Sequence, residues 1–100
     1  MSEAPSKIVI GGATVARLAR GVRLRKDEVR GQMVLLAPER ALALDDIAQR
    51  IVEALDGERS IDRIAEDFAA AFQAPKEQIT ADVTAFVQEL SDRRMLEIVA

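Results

Sequence analysis

The stretch Val22 to Leu55, VRLRKDEVRGQMVLLAPERALALDDIAQRIVEAL, changes its apolar period from two residues to three or four within a few positions. Val22, Leu24 and Lys26 alternate with Arg23 and Arg25, the repeat of a strand with one wet face. The run DEVRG supplies turn residues, and QMVLLA follows as a more apolar strand. Pro38 cannot donate to a ladder, so PER breaks the extended run before ALAL resumes it. Asp45 then stands where a helix cap belongs, just ahead of Ile47, Ala48, Ile51, Val52 and Leu55 on one helical face. The expectation is two strands, a short third, and a helix.

Working outward, Asp56-Gly57 is expected to stop that helix, the glycine taking the left-handed conformation. Ser60 is the next cap, leading into Ile61, Ile64, Ala65, Phe68 and Phe72. Pro75 suits the start of a third helix, whose apolar face is Ile79, Val83, Phe86, Val87 and Leu90. All three phenylalanines thus fall on expected inner faces. MLEIV near the end alternates weakly and reads as a returning short strand. Each helix is too short to persist alone in water, so the stripes must meet one another and the sheet. The fold expected is α+β, a small winged-helix-like domain with a three-stranded antiparallel sheet followed by three helices. It spans residues 21–100. Residues 1–20 read as an N-terminal extension, flexible, loosely docked or swapped between subunits: KIVIGG suggests a short strand, ATVARLARG a weak turn of helix or a basic arm.

The chain has 100 residues, of which 49% are hydrophobic and 31% charged, the proportions of one globular domain. It contains no cysteine, which excludes disulfides, thiolate metal sites and thiol catalysis. No apolar run approaches the length of a membrane span, and the opening lacks the basic start of a secretory signal. The net charge of -3 conceals a split. Residues 1–31 hold seven basic and three acidic side chains, whereas residues 32–100 hold seven basic and fourteen acidic.

General acid–base chemistry is poorly provided for, since there is no histidine. Asp45 and Asp46 are adjacent on a helix and point about 100° apart, so capping explains Asp45 better than a shared proton does. Glu53, Asp56, Glu58 and Asp62 cluster near a turn without the ligand spacing of a calcium loop. KIVIGGATVA has two adjacent glycines in place of the three spaced glycines of a dinucleotide fingerprint. Ser60 and Ser91 have no base relay. No catalytic residue, metal site or cofactor is expected.

Two binding roles and one structural role stay open at this point. A winged helix that reads DNA needs cations on its recognition helix, yet the middle of the third helix shows Asp82 and Glu89. Arg23, Arg25, Lys26 and Arg30 offer phosphate contacts from the wing, or simply solubilise a sheet face. The two outer strands differ more usefully. RLRK is guarded by charge, whereas ALAL carries neither charge nor proline and leaves its backbone groups open to another strand. The alternative is that this edge is covered by the chain itself or by a second copy, making the protein a structural or dimerisation domain.

Residues 21–97 resemble the coenzyme pyrroloquinoline quinone synthesis protein family PqqD, most specifically in LLAPERALALDDIAQRI, Leu35 to Ile51. The resemblance implies a stand-alone recognition element without a cofactor of its own. In such a role it would act in the cytoplasm as a peptide chaperone, binding the ribosomally made precursor PqqA by strand addition. It would present that precursor to the radical S-adenosylmethionine enzyme PqqE. It implies backbone contacts at Leu42, Ala43 and Leu44, and a helical wall at Asp82, Phe86, Glu89 and Arg93 with Ala85 nearby. Pro38 and Glu39 match the family's turn, Pro38 setting its backbone. Met33 stands where the family pattern carries tryptophan. Nucleic acid and membrane are not implied partners, and the choice between monomer and homodimer is left open.

Overall fold

The computed structural model describes residues 8–100. The start of the expected extension, residues 1–7, lies outside the described residues. Three strands form the expected meander: β2 (Arg23–Asp27), β3 (Gln32–Ala37) and β4 (Arg40–Leu44), paired antiparallel in that order. The first strand of the chain, β1, is Val15–Leu18. The β2–β3 turn is closed by the carboxylate of Asp27, which accepts from the N–H groups of Val29 (3.1 Å) and Arg30 (3.3 Å). Gly31 (φ 66°) donates its own N–H to the Asp27 carbonyl. Only Pro38 and Glu39 connect β3 to β4, and Glu39 has φ 65°. Proline followed by a left-handed residue is the pattern of a type II turn.

Register decides which side chains share a face. Leu24, Leu35 and Leu42 lie in one row and Lys26, Met33 and Leu44 in the next. Leu35 is fully buried and Leu44 nearly so, while Leu24, Met33 and Leu42 pack against the core. Met33 lies directly opposite Leu44 on this face. The opposite face carries Arg23, Leu36 and Ala41 in one row, and Arg25, Val34 and Ala43 in the next.

Helix α1 (Asp46–Ala54) starts at Asp45, whose carboxylate accepts from the Ala48 N–H at 2.7 Å. It ends two residues before the expected stop. Asp56-Gly57 is not its terminator: Asp56–Ser60 form a strand, β5, with Gly57 at φ 78° inside it. Ser60 caps α2 (Ile61–Phe72), its Oγ accepting from the Arg63 N–H at 3.2 Å. Gln73, at φ 52°, turns the chain, and α3 (Lys76–Asp92) begins directly after Pro75. Arg94 (φ 60°) and a bond from the Met95 N–H to the Leu90 carbonyl reverse the chain into β6 (Leu96–Ile98), the short strand expected from MLEIV.

The segment read as a weak helix or arm is where expectation and structure part. ATVARLARG contains β1, which sits between β5 and β6 in a second antiparallel sheet. Ala16 points into the core, 1% exposed, while Arg17 points out and pairs with Glu97 through Nε and Oε1 at 2.6 Å. Just upstream, the carbonyls of Gly12 and Thr14 accept the N–H groups of Asp62 and Ile61 at 2.9 Å each, satisfying two donors at the start of α2. Ile8-Val9-Ile10 is not a strand; Ile10 is buried, and Ile8 and Val9 are exposed.

Beneath both sheets lies one hydrophobic cluster drawn from every element but β5, with Ile61, Ile64, Val87 and Leu90 completely covered. Phe68 and Phe86 pack against it as expected. Phe72 does not: at 39% exposure it stands at the end of α2, edge-on to Phe68 and 5.6 Å from the Arg50 guanidinium. The last turn of a helix has no element beyond it to cover a large ring, so a cation takes that place.

Candidate functional site

β4 is an edge strand of the meander, with β3 on one side and no strand on the other among the described residues. Its sequence RALAL places leucines inward and alanines outward. Leu44 is buried and Leu42 half-buried, while Ala41 and Ala43 are exposed. Small outward side chains leave this edge low and accessible, and no charge or proline interrupts it from Ala41 to Leu44. Pro38 and Glu39, at its head, are both exposed. Pro38 presets the turn through its fixed φ. Glu39 holds a conformation that favours glycine, which is affordable only because the two flanking strands enforce it.

On α3, Asp82, Phe86, Glu89 and Arg93 recur every three or four residues and make one stripe along the flank of the buried face. Phe86 is half-buried and packs against the same core cluster as Leu42 and Leu44. The three charged members are exposed and locally satisfied. Arg93 Nη2 lies 3.0 Å from Glu89 Oε2, and Gln78 donates to Asp82 at 3.1 Å. Ala85 is set apart. It lines a shallow depression on the other side of α3 with Thr80, Ala81, Thr84 and Gln88. The direct packing partner of β4 is α1, and those of α3 are α2 and β6.

That second side of α3 carries a feature not expected from the sequence. Gln88 Oε1 accepts the Ile10 N–H at 2.9 Å while its Nε2 donates to the Ile8 carbonyl at 2.8 Å. One side-chain amide thus mimics a neighbouring strand and fastens residues 8–10 along α3. A lone glutamine on a helix flank gives no sequence signal for such a role.

The acidic turn holds an ion-pair network. Asp56 accepts from the N–H groups of Arg59 and Glu58, both at 2.9 Å, and from Arg59 Nε at 2.9 Å. These bonds, the Arg59 backbone N–H foremost, hold its carboxyl at about 2, below the usual carboxylate range. Arg59 also reaches Asp67 at 3.0 Å, and that hydrogen bond lowers the Asp67 pKa. Its own proton affinity is raised by the two carboxylates, Asp56 first. This network ties β5 to α2 and lies apart from β4. Among the described residues no group of three or more His, Cys, Asp or Glu is placed to hold a metal ion, and no helix is long and apolar enough to cross a membrane.

A three-stranded antiparallel meander leading into three helices, braced by a second small sheet, defines an α+β protein of winged-helix-like class. The chain belongs to the PqqD family: the family model "Coenzyme PQQ synthesis protein D" matches residues 32–96. It is 70% identical over 91 residues to the PqqA binding protein of Rhizobium meliloti, covering 91% of this chain and 93% of that one. It is similar in structure to the PqqD truncation of PqqCD from Methylobacterium extorquens, a functional and stand-alone recognition element for ribosomally synthesised and modified peptides. That comparison gives a TM-score of 0.76 and 42% identity over 88% of this chain and 94% of that one. TbiB1, solved with the TbiA(beta) leader peptide, shares the fold with a TM-score of 0.68 at 19% identity, covering 81% of this chain and 94% of that chain.

Proposed function

We propose that this protein is a non-catalytic peptide chaperone of pyrroloquinoline quinone biosynthesis. It takes up the precursor peptide PqqA as an added strand on β4 and presents it, in the cytoplasm, to the radical S-adenosylmethionine enzyme PqqE. The observation that carries the reading is the uncovered edge of β4, in a chain of this family. Main-chain bonds along the open edge of β4, in the segment of Leu42, Ala43 and Leu44, give affinity, and side-chain contacts give selection. Phe86 supplies the apolar part of the helical wall. Asp82, Glu89 and Arg93 give it mixed charge, and Ala85 borders it. Pro38 and Glu39 hold the turn at the entrance. The recognition surface lies within residues 21–100, and residues 8–20 brace it from behind.

The test is a titration of the isotope-labelled full chain with a synthetic peptide of PqqA sequence. Amide resonances of Leu42 to Leu44 and of the Asp82, Phe86, Glu89 and Arg93 stripe should move together and saturate. Movement confined to α2, to β5 or to the Gln88 side of α3 would place the peptide elsewhere and sink this site.

A further inference from the structure

We infer that the guest strand is held through the backbone of Ala41 and Ala43, and that Leu42 and Leu44 offer it side chains but no hydrogen bonds. This rests on the strand addition proposed above. The β3–β4 turn sets the starting point. Ala37 and Arg40 face each other with only Pro38 and Glu39 between them, so the Ala37 carbonyl accepts the Arg40 N–H to close the turn. In an antiparallel ladder, bonded and non-bonded pairs then alternate. The register runs without a shift from Ala37 opposite Arg40 to Met33 opposite Leu44. Leu42 and Leu44 consequently spend their N–H and C=O groups on Leu35 and Met33. Ala41 and Ala43 fall in the non-bonded pairs, and their backbone groups point away from β3 to the open side.

Nothing among residues 8–100 pairs with them there. Among the described residues, no backbone bond outside the regular elements engages Arg40–Leu44, and both alanines are exposed. The assignment is independent of the direction of the guest. In antiparallel addition the guest residues opposite Ala41 and Ala43 each exchange two bonds with them; in parallel addition the residue opposite Leu42 bonds to both. Of the three residues expected to make backbone contacts, Ala43 keeps that role, Leu42 and Leu44 do not, and Ala41 acquires it.

The kind of peptide follows from the same alternation. The guest side chain opposite Leu42 emerges on the core side, beside half-buried Leu42, and must be apolar. Those opposite Ala41 and Ala43 emerge on the exposed face beside methyl groups, where size and polarity are free to vary. Proline is excluded wherever the guest must donate an N–H.

Amide hydrogen exchange of the labelled full chain, alone and with synthetic PqqA-sequence peptide, tests the assignment. In the free protein the Leu42 and Leu44 amides should be protected and those of Ala41 and Ala43 should exchange freely. At saturation with peptide, the Ala41 and Ala43 amides should slow by about tenfold or more, the effect of one bond of ordinary strength. A second measurement uses Ala43→Pro, which removes an N–H that β3 does not use. Its spectrum should stay dispersed while peptide affinity falls by about tenfold or more. If the peptide binds and β4 responds, but Ala41 and Ala43 are already protected in the free chain or stay unprotected in the complex, the register is wrong and strand addition survives. If the peptide binds without any response in residues 40–44, strand addition and the register both fail. If it does not bind, the proposed function falls with them.

Discussion

Single side chains in this protein act mainly by closing backbone turns. Asp27, Asp45, Asp56 and Ser60 each accept a main-chain N–H two or three residues on, so short polar residues punctuate four changes of element between β2 and α2, the β3–β4 turn excepted. Asp56 is the most committed of them, with its carboxyl held at about 2 by the amides of Arg59 and Glu58 and by the Arg59 guanidinium. A carboxylate whose pKa is depressed by folding stabilises the folded state above its unfolded value near about 4, and that contribution is lost as pH falls toward the folded value. The melting temperature should therefore drop as pH is lowered from about 4 to about 2. Asp56→Asn should melt below the parent at neutral pH, and the gap should close toward the acid end. Thermal melts of both proteins across this range check it, and a gap of constant size would show that the charge of Asp56 is not what matters.

At the level of elements, α3 has two working sides. One faces the proposed guest through Phe86 and its charged neighbours; the other clasps residues 8–10 through Gln88. Two bonds from one half-buried amide are worth about 1 kcal/mol each net. Gln88→Ala should thus lower the unfolding free energy by about 1–2 kcal/mol and speed exchange at the Ile10 amide. Because the clasp lies on the side away from the Phe86 stripe, affinity for the PqqA-sequence peptide should stay within about twofold, less than half the effect of one ordinary bond. Denaturant unfolding and the same peptide titration give both values, and a large loss of affinity would mean that the two sides are coupled.

Residues 8–100 form a slab of 48 × 36 × 20 Å, thin along one axis. In so thin a body the second sheet is structural rather than ornamental. β1 supplies the middle strand of that sheet, and Gly12 and Thr14 supply carbonyls to the start of α2. Removal of residues 1–18 would strip β5 and β6 of their shared partner and uncover the neighbourhood of Met95, which is 1% exposed. The shortened chain should lose its cooperative thermal transition, measured by far-ultraviolet circular dichroism. A sharp melt close to that of the full chain would show that residues 19–100 fold alone and that β1 is an addition to a complete domain.

Much of this architecture was legible before any coordinates. The two-residue alternation of Val22 to Lys26, the Pro38-Glu39 break, the caps at Asp45 and Ser60 and the helical stripes all act over a few residues, and each reappears in the fold. The open character of ALAL was readable as well, because charge and proline are visible by their absence. Even the outward direction of the Ala41 and Ala43 amides follows from a two-residue turn, once Ala37 and Arg40 are known to pair. The second sheet was not legible. DGERS has little strand propensity and β1 is four residues long; they are strands only because Arg17 meets Asp56 on one side and Glu97, 80 residues away, on the other. The exposure of Phe72 and the clasp of Gln88 were likewise hidden, since both depend on what the rest of the chain brings near them. Local pattern sets what a segment prefers to be, whereas partners distant in sequence, whose pairing must overcome loop-closure entropy, decide where a weakly patterned segment is held.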